Sequence, residues 1–125
     1  MKTQDLYHGT SADNILGILK DGVMKPAGGE IFFVRQESQI HTCFVHGADR
    51  SRGAAFVVKV KIHIPDHIGL KPVPKTGNPD AWVLQANIPV KTEVIELFVR
   101  RKPGVPLEVI KGRDLIVSYL QRRGF

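Results

Sequence analysis

Leu6-Tyr7-His8-Gly9-Thr10-Ser11-Ala12-Asp13-Asn14-Ile15-Leu16-Gly17-Ile18-Leu19-Lys20-Asp21-Gly22 changes character halfway along. Before Ser11 it is a short apolar and aromatic run cut by a glycine, which predicts a strand around Asp5 to His8. After Ser11 the apolar residues Ile15, Leu16, Ile18 and Leu19 crowd one side at helical spacing, which predicts a helix from about Ala12 to Asp21. Ser11 stands where a hydroxyl caps the first turn, and Gly22 stands where a left-handed residue ends the last. A strand therefore feeds a histidine and a glycine directly into the start of a helix.

Outward from that unit, Pro26, Gly28 and Gly29 predict a turn, and Glu30-Ile31-Phe32-Phe33-Val34 a short buried strand. Ser38 is placed to cap a helix running to about Ala48, with Ile40, Cys43 and Phe44 facing inward. Asp49, Arg50, Ser51, Arg52 and Gly53 then form a polar loop. Phe56, Val58, Val60, Ile62 and Ile64 alternate with Val57, Lys59, Lys61 and His63, the period of a strand with one wet face. From Pro65 to Pro79 there is little periodicity, so this reads as a long loop. Trp82 to Ile88 and Thr92 to Arg101 read as strands, and Leu115, Ile116, Tyr119 and Leu120 as one side of a final helix. The order argues for an α+β sheet fold, and the length for a single domain over residues 1–125.

The composition is that of an ordinary globular chain, with 42% hydrophobic and 24% charged residues. A single cysteine, Cys43, is too few for a disulfide framework or a cysteine-based zinc site, and its apolar neighbours suit a buried, inert thiol. His41 and His46 stand five apart, poorly spaced for a joint metal site, and no metal is expected. His63 and His67 read as surface residues. No signal-like or membrane-spanning run is present, so the expectation is a cytoplasmic protein, or an effector domain delivered into a target cell. The net charge of +6 sits at one end. From Phe98 to Phe125, Arg100, Arg101, Lys102, Lys111, Arg113, Arg122 and Arg123 face only Glu108 and Asp114, a surplus of five that suits docking to a macromolecule.

His8 offers a directional hydrogen-bonding group, Gly9 lets a ligand approach the backbone, and Thr10 and Ser11 add hydroxyls beside a helix N-terminus. Equally, Gly9 can serve only a turn, and His8 can be a polar residue satisfied by backbone. No Gly-x-Gly-x-x-Gly or phosphate-loop string is present. Arg35, Arg50 and Arg52 are candidates for phosphate contacts through their planar guanidinium groups.

The string Leu6-Tyr7-His8-Gly9-Thr10-Ser11, followed by Asn14, Ile15, Ile18, Leu19 and Gly22, resembles the first motif of the histidine-type ADP-ribosyltransferases. That superfamily includes the poly-ADP-ribose polymerases, the diphtheria-toxin group and many bacterial polymorphic toxins. Glu30-Ile31-Phe32-Phe33 resembles its Gly-Ile-Tyr-Phe strand, and Trp82 to Pro89 with Val94-Ile95 its third-motif strand and the next. The resemblance covers residues 5 to about 99 and weakens along the chain. It implies a split β-sheet sandwich and NAD⁺ as co-substrate, with His8 bonding the nicotinamide-side ribose, Gly9 the nicotinamide amide and Phe32 stacking on the ring. Thr10, Ser11 and Arg35 fill out the implied NAD⁺ site. The family's third-motif glutamate is missing; Asp80 and Gln85 are the candidates in its place, then Glu93 or Glu96. The implied activity is ADP-ribosyl transfer by a toxin or effector domain to a macromolecule, RNA or DNA ahead of protein, with a cognate immunity protein as a further partner. Two alternatives stand beside it, an inactive module binding nucleic acid or NAD, and an RNA 2′-phosphotransferase-like enzyme.

Overall fold

A computed structural model describes residues 2–49, 53–73, 80–102 and 104–122. The opening unit forms as its sequence dictates. Strand β1 (Lys2–Gly9) runs into helix α1 (Ala12–Asp21), whose Ser11 hydroxyl accepts from the Asn14 amide at 3.3 Å. Gly22 closes the helix at φ 71°, donating its amide to the Ile18 carbonyl. Short β2 (Val23–Met24) follows, then β3 (Glu30–Phe33), a 3₁₀ helix η1 (Glu37–Val45) and short β4 (Ala48–Asp49). The long β5 (Ala54–Ile64), β6 (Leu70–Pro72), β7 (Trp82–Gln85), the long β8 (Val90–Arg100), β9 (Glu108–Lys111) and helix α2 (Arg113–Arg122) complete the chain.

The protein is mixed α and β, with antiparallel strands and a few short helices. One sheet runs β1-β5-β8-β2, with β4 beside β5 and β9 beside β8; a second runs β3-β7-β6. The two meet where Tyr7 and Val34 exchange backbone hydrogen bonds of 2.9 and 3.0 Å. One face of the larger sheet, with Phe56, Val58, Val60, Ile62 and Leu97, is buried under α1 and α2 in the main core. The other face is divided. Near its Gly9 end, Val57 and Phe98 pack under η1 with Ile40, Cys43 and Phe44. Further along, charged residues face one another across strands, Asp5 opposite Lys61 opposite Glu93, and Lys59 opposite Glu96 opposite Lys111.

Several boundaries differ from expectation. The segment after β3 is a 3₁₀ helix capped by Gln36 and not by Ser38; the Gln36 and Gln39 side chains reciprocally bond each other's backbone. With three residues per turn, Ile40 and Cys43 align on one line, which suits this tighter coil. The strand expected to reach Ile88 ends at Gln85, after which the Ala86 amide turns to the Gly29 carbonyl at 3.0 Å. The region from Pro65 to Pro79 contains β6, and residues 74–79 lie outside those described. β9 was not expected at all: four residues with a single aliphatic pair give no period to read. In β8 the register shifts opposite Lys59 and Val60, so the alternation of Thr92 to Arg101 does not persist as one uninterrupted face.

Candidate functional site

His8 closes β1 where the two sheets part, and a bond fixes it. Its Nδ1 lies 2.7 Å from the Phe32 carbonyl of β3. A carbonyl only accepts, so Nδ1 carries the hydrogen and the neutral ring presents Nε2 as an acceptor. Burial pulls the His8 pKa below its ordinary 6.5; the Phe32 carbonyl acts the other way, and nearby His46 adds to the lowering. The Phe33 ring flanks the imidazole, centroids 5.5 Å apart. Phe33 is buried in the core, whereas Phe32, on the opposite face of β3, is 45% exposed. His8 thus meets β3 twice, through the Phe32 backbone carbonyl and the Phe33 ring.

Two clefts share His8, Gly9 and Phe32. One, of about 630 Å³, has a largely apolar wall of Phe32, Phe33, Val34 and Val45, closed by Thr42, Cys43 and His46 of the η1 region and by Ala81. The other, of about 590 Å³, lies beside α1 and β2 and is lined by Asp13, Asp21 and Glu30 against Lys25. Both volumes fall within the ~300–1,000 Å³ usual for ligand pockets. Gly9 is glycine for a reason the sequence does not show. A Cβ there would lie 2.0 Å from the Cys43 carbonyl oxygen, so its bareness lets η1 close against β1. Gly47 does the same against β5, where a Cβ would lie 1.8 Å from the Phe56 carbonyl oxygen.

The remaining candidates divide. Thr10 lines the acidic cleft but is buried, and its hydroxyl accepts from Asn14 Nδ2 at 2.9 Å. Ser11 lines neither cleft and its hydroxyl caps α1; the Ala12 amide is also engaged, by Asp49 Oδ2 at 3.4 Å, so this helix N-terminus already has acceptors of its own. Arg35 stacks over Trp82, 4.5 Å from the ring centroid, and lines neither cleft. Arg50 and Arg52 lie outside the described residues. Asp80 is half-buried and directly precedes Ala81 of the apolar cleft. Gln85 is exposed at the other end of β7, opposite Glu30. Glu93 and Glu96 face Lys61 and Lys59 across the larger sheet, and neither lines the His8 clefts. Cys43 is buried, with its thiol pKa pushed up to about 11 chiefly by that burial.

Thr42, Val45 and His46 line the cleft without having been singled out for it. A three-residue period from Gln39 to Thr42 and Val45 is the pattern that finds the first two. Among the described residues no group of three or more His, Cys, Asp or Glu is arranged to hold a metal, and no helix is long and apolar enough to cross a membrane. Set against known proteins, the chain matches no family model, no curated protein and no solved structure.

Proposed function

We propose that this chain is an NAD⁺-dependent ADP-ribosyltransferase, passing ADP-ribose to a macromolecular acceptor, nucleic acid ahead of protein. The observation that carries the reading is the His8–Phe32 pair, tied by a 2.7 Å bond from the imidazole to the Phe32 carbonyl and shared by two clefts, one strongly apolar and one that also carries carboxylates. A dinucleotide whose reactive half ends in a flat aromatic ring suits such a junction. The nicotinamide lies in the apolar cleft against exposed Phe32, which supplies a stacking face without a tyrosine's hydroxyl. Neutral His8 accepts a ribose hydroxyl at Nε2. The carboxylates of the acidic cleft suit sugar hydroxyls better than phosphates.

The chemical step breaks the bond between the ribose C1′ and the nicotinamide nitrogen, whose electron pair leaves with nicotinamide. Positive charge develops on the ribose; an acceptor oxygen or nitrogen then bonds C1′ and gives up a proton. Asp80 is our assignment for stabilising that charge and taking the proton, because it adjoins the apolar cleft through Ala81. Gln85 can only hydrogen-bond, and its place opposite Glu30 sets it toward the acidic side. An inactive NAD- or nucleic-acid-binding module has one observation in its favour: β7, Trp82–Gln85, carries no carboxylate.

The test is nicotinamide release from NAD⁺ in the presence of RNA, DNA or cell-lysate protein. Release by the wild type, reduced about 10²-fold or more in His8→Ala, is expected. Labelled NAD⁺ then identifies the acceptor by which fraction takes the label. Binding of NAD⁺ with no release under any acceptor condition would select the inactive module, and neither binding nor release would overturn both readings.

A further inference from the structure

A third hollow, of about 420 Å³, lies on the other side of η1 from the His8 clefts. It is lined by Ile40, Phe44, Phe98, Arg100, Leu107 and Val109, with Glu37 and His41 on its wall. Its floor is the smaller core, where Phe44 and Phe98 are buried. One wall is β9, which pairs with β8 along one edge and with no strand along the other among the described residues. A strand edge of this kind leaves the N–H and C=O groups of alternate residues turned away from the sheet. Leu107 is 40% exposed and Val109 is 47% exposed, two apolar side chains two residues apart on the wall of one hollow.

Charge selects the occupant. Lys111, the last residue of β9, is exposed and faces Glu96 of β8 on its inner side; Lys102, in the connection from β8 to β9, is exposed too, and Arg100 of β8 stacks on Phe44 at 4.8 Å inside the hollow. Glu108, the acid on β9 itself, is bonded by Arg101 at 2.7 Å, and Arg101 also donates to the Tyr119 hydroxyl. Arg113 donates to the Leu19 carbonyl and so ties α2 to α1.

We infer that the outer edge of β9 is a docking site for an extended, acidic segment of a partner protein, which adds a strand to the sheet. Its backbone pairs with β9, its apolar side chains cover Leu107 and Val109, and its acidic ones meet Lys111 from the side opposite Glu96. A nucleic acid would meet the same charges but has no use for two aliphatic side chains on a strand edge. The inference does not depend on NAD⁺ chemistry at His8.

The experiment titrates the whole chain with a fluorescent extended peptide of alternating valine and aspartate, read by polarisation. The charge-reversed valine–lysine peptide and a single-stranded oligonucleotide are run beside it. Saturable binding of the acidic peptide is expected, weakened about tenfold by Leu107→Asp, with slowed amide exchange at residues 107–111 in the wild-type complex. Leu107 is exposed, so the variant should fold, and circular dichroism checks that it does. The amide-exchange arm needs no variant. Absence of acidic-peptide binding, equal binding of the lysine peptide, or binding with unchanged exchange at 107–111 would each overturn the inference. Displacement of the peptide by the oligonucleotide, with Leu107→Asp indifferent, would reassign the surface to nucleic acid.

Discussion

Helices α1 and η1 do similar work by different means. Each follows a strand of the site and walls one cleft beside His8, α1 the acidic one and η1 the apolar one. α1 is capped at both ends and buries Ala12, Ile15, Ile18 and Leu19 in the main core. η1 is wound as a 3₁₀ helix, whose longer runs are uncommon because the hydrogen-bond geometry is poorer, and it buries only Ile40, Cys43 and Phe44. It also has a hollow on each side, the apolar cleft and the groove beside β9. Backbone packing adds to that smaller core: Gly9 and Gly47 let the C-terminal end of η1 approach β1 and β5 more closely than any side chain would permit. The difference teaches that one wall of the candidate site rests on side-chain burial and local caps, and the other on a smaller set of buried side chains together with two missing ones.

That contrast can be tested by weakening each wall in turn. Ile15→Ala should cost about 2–5 kcal/mol in urea unfolding, because Ile15 is wholly buried in a core with little room to collapse. Ile40→Ala, at the edge of a hollow that can close, should fall at the lower end of that range; equal losses would remove the distinction between the walls. Gly47→Ala should cost about 1–3 kcal/mol, since its new methyl meets backbone oxygen that no rotamer can move. Gly17→Ala makes the opposite case. Gly17 sits inside α1 with nothing within 4 Å of where a Cβ would stand, so alanine should stabilise the fold by about 0.5–1 kcal/mol, read as a raised unfolding midpoint.

The histidine gives the finest test. With a folded pKa below 6.5, His8 resists protonation while the unfolded chain accepts it, so the unfolded state binds more protons as pH falls from about 6.5 toward the folded value. Stability should therefore drop across that window in the wild type and drop less in His8→Gln, read as melting temperature at successive pH values. An identical pH dependence in the two proteins would mean that His8 is not held neutral by its surroundings. Cys43, with its thiol pKa pushed up to about 11, should resist alkylation at pH 8 in the native state and react once unfolded; rapid native labelling would mean that η1 opens readily.

Legibility in the sequence followed the range of the interactions involved. α1 was readable to its ends, because cap, apolar spacing and terminal glycine are all local. β5 was readable because one of its faces is core along its whole length, although Val57 is also buried, under η1. η1 was misread in type and cap, since Ile40, Cys43 and Phe44 fit three residues per turn nearly as well as 3.6. Of the candidate site, His8 and Phe32, which line both clefts, stood out in their strings. The hydroxyls of Thr10 and Ser11 and the guanidinium of Arg35 were equally visible, but each is engaged by a neighbour: Asn14 for the hydroxyls and Trp82 for the arginine.

Local chemistry alone determined that a strand would carry a histidine to the mouth of a capped helix, that an aromatic strand would follow, and that the basic surplus would gather at the C-terminal end. Tertiary structure decided the rest. Which histidine nitrogen carries the hydrogen depends on a carbonyl 24 residues away in sequence. The reason for Gly9 lies in the Cys43 carbonyl, and among the described residues no strand but β8 pairs with β9. Backbone approaches and open sheet edges arise between distant segments, and no period along the chain encodes them.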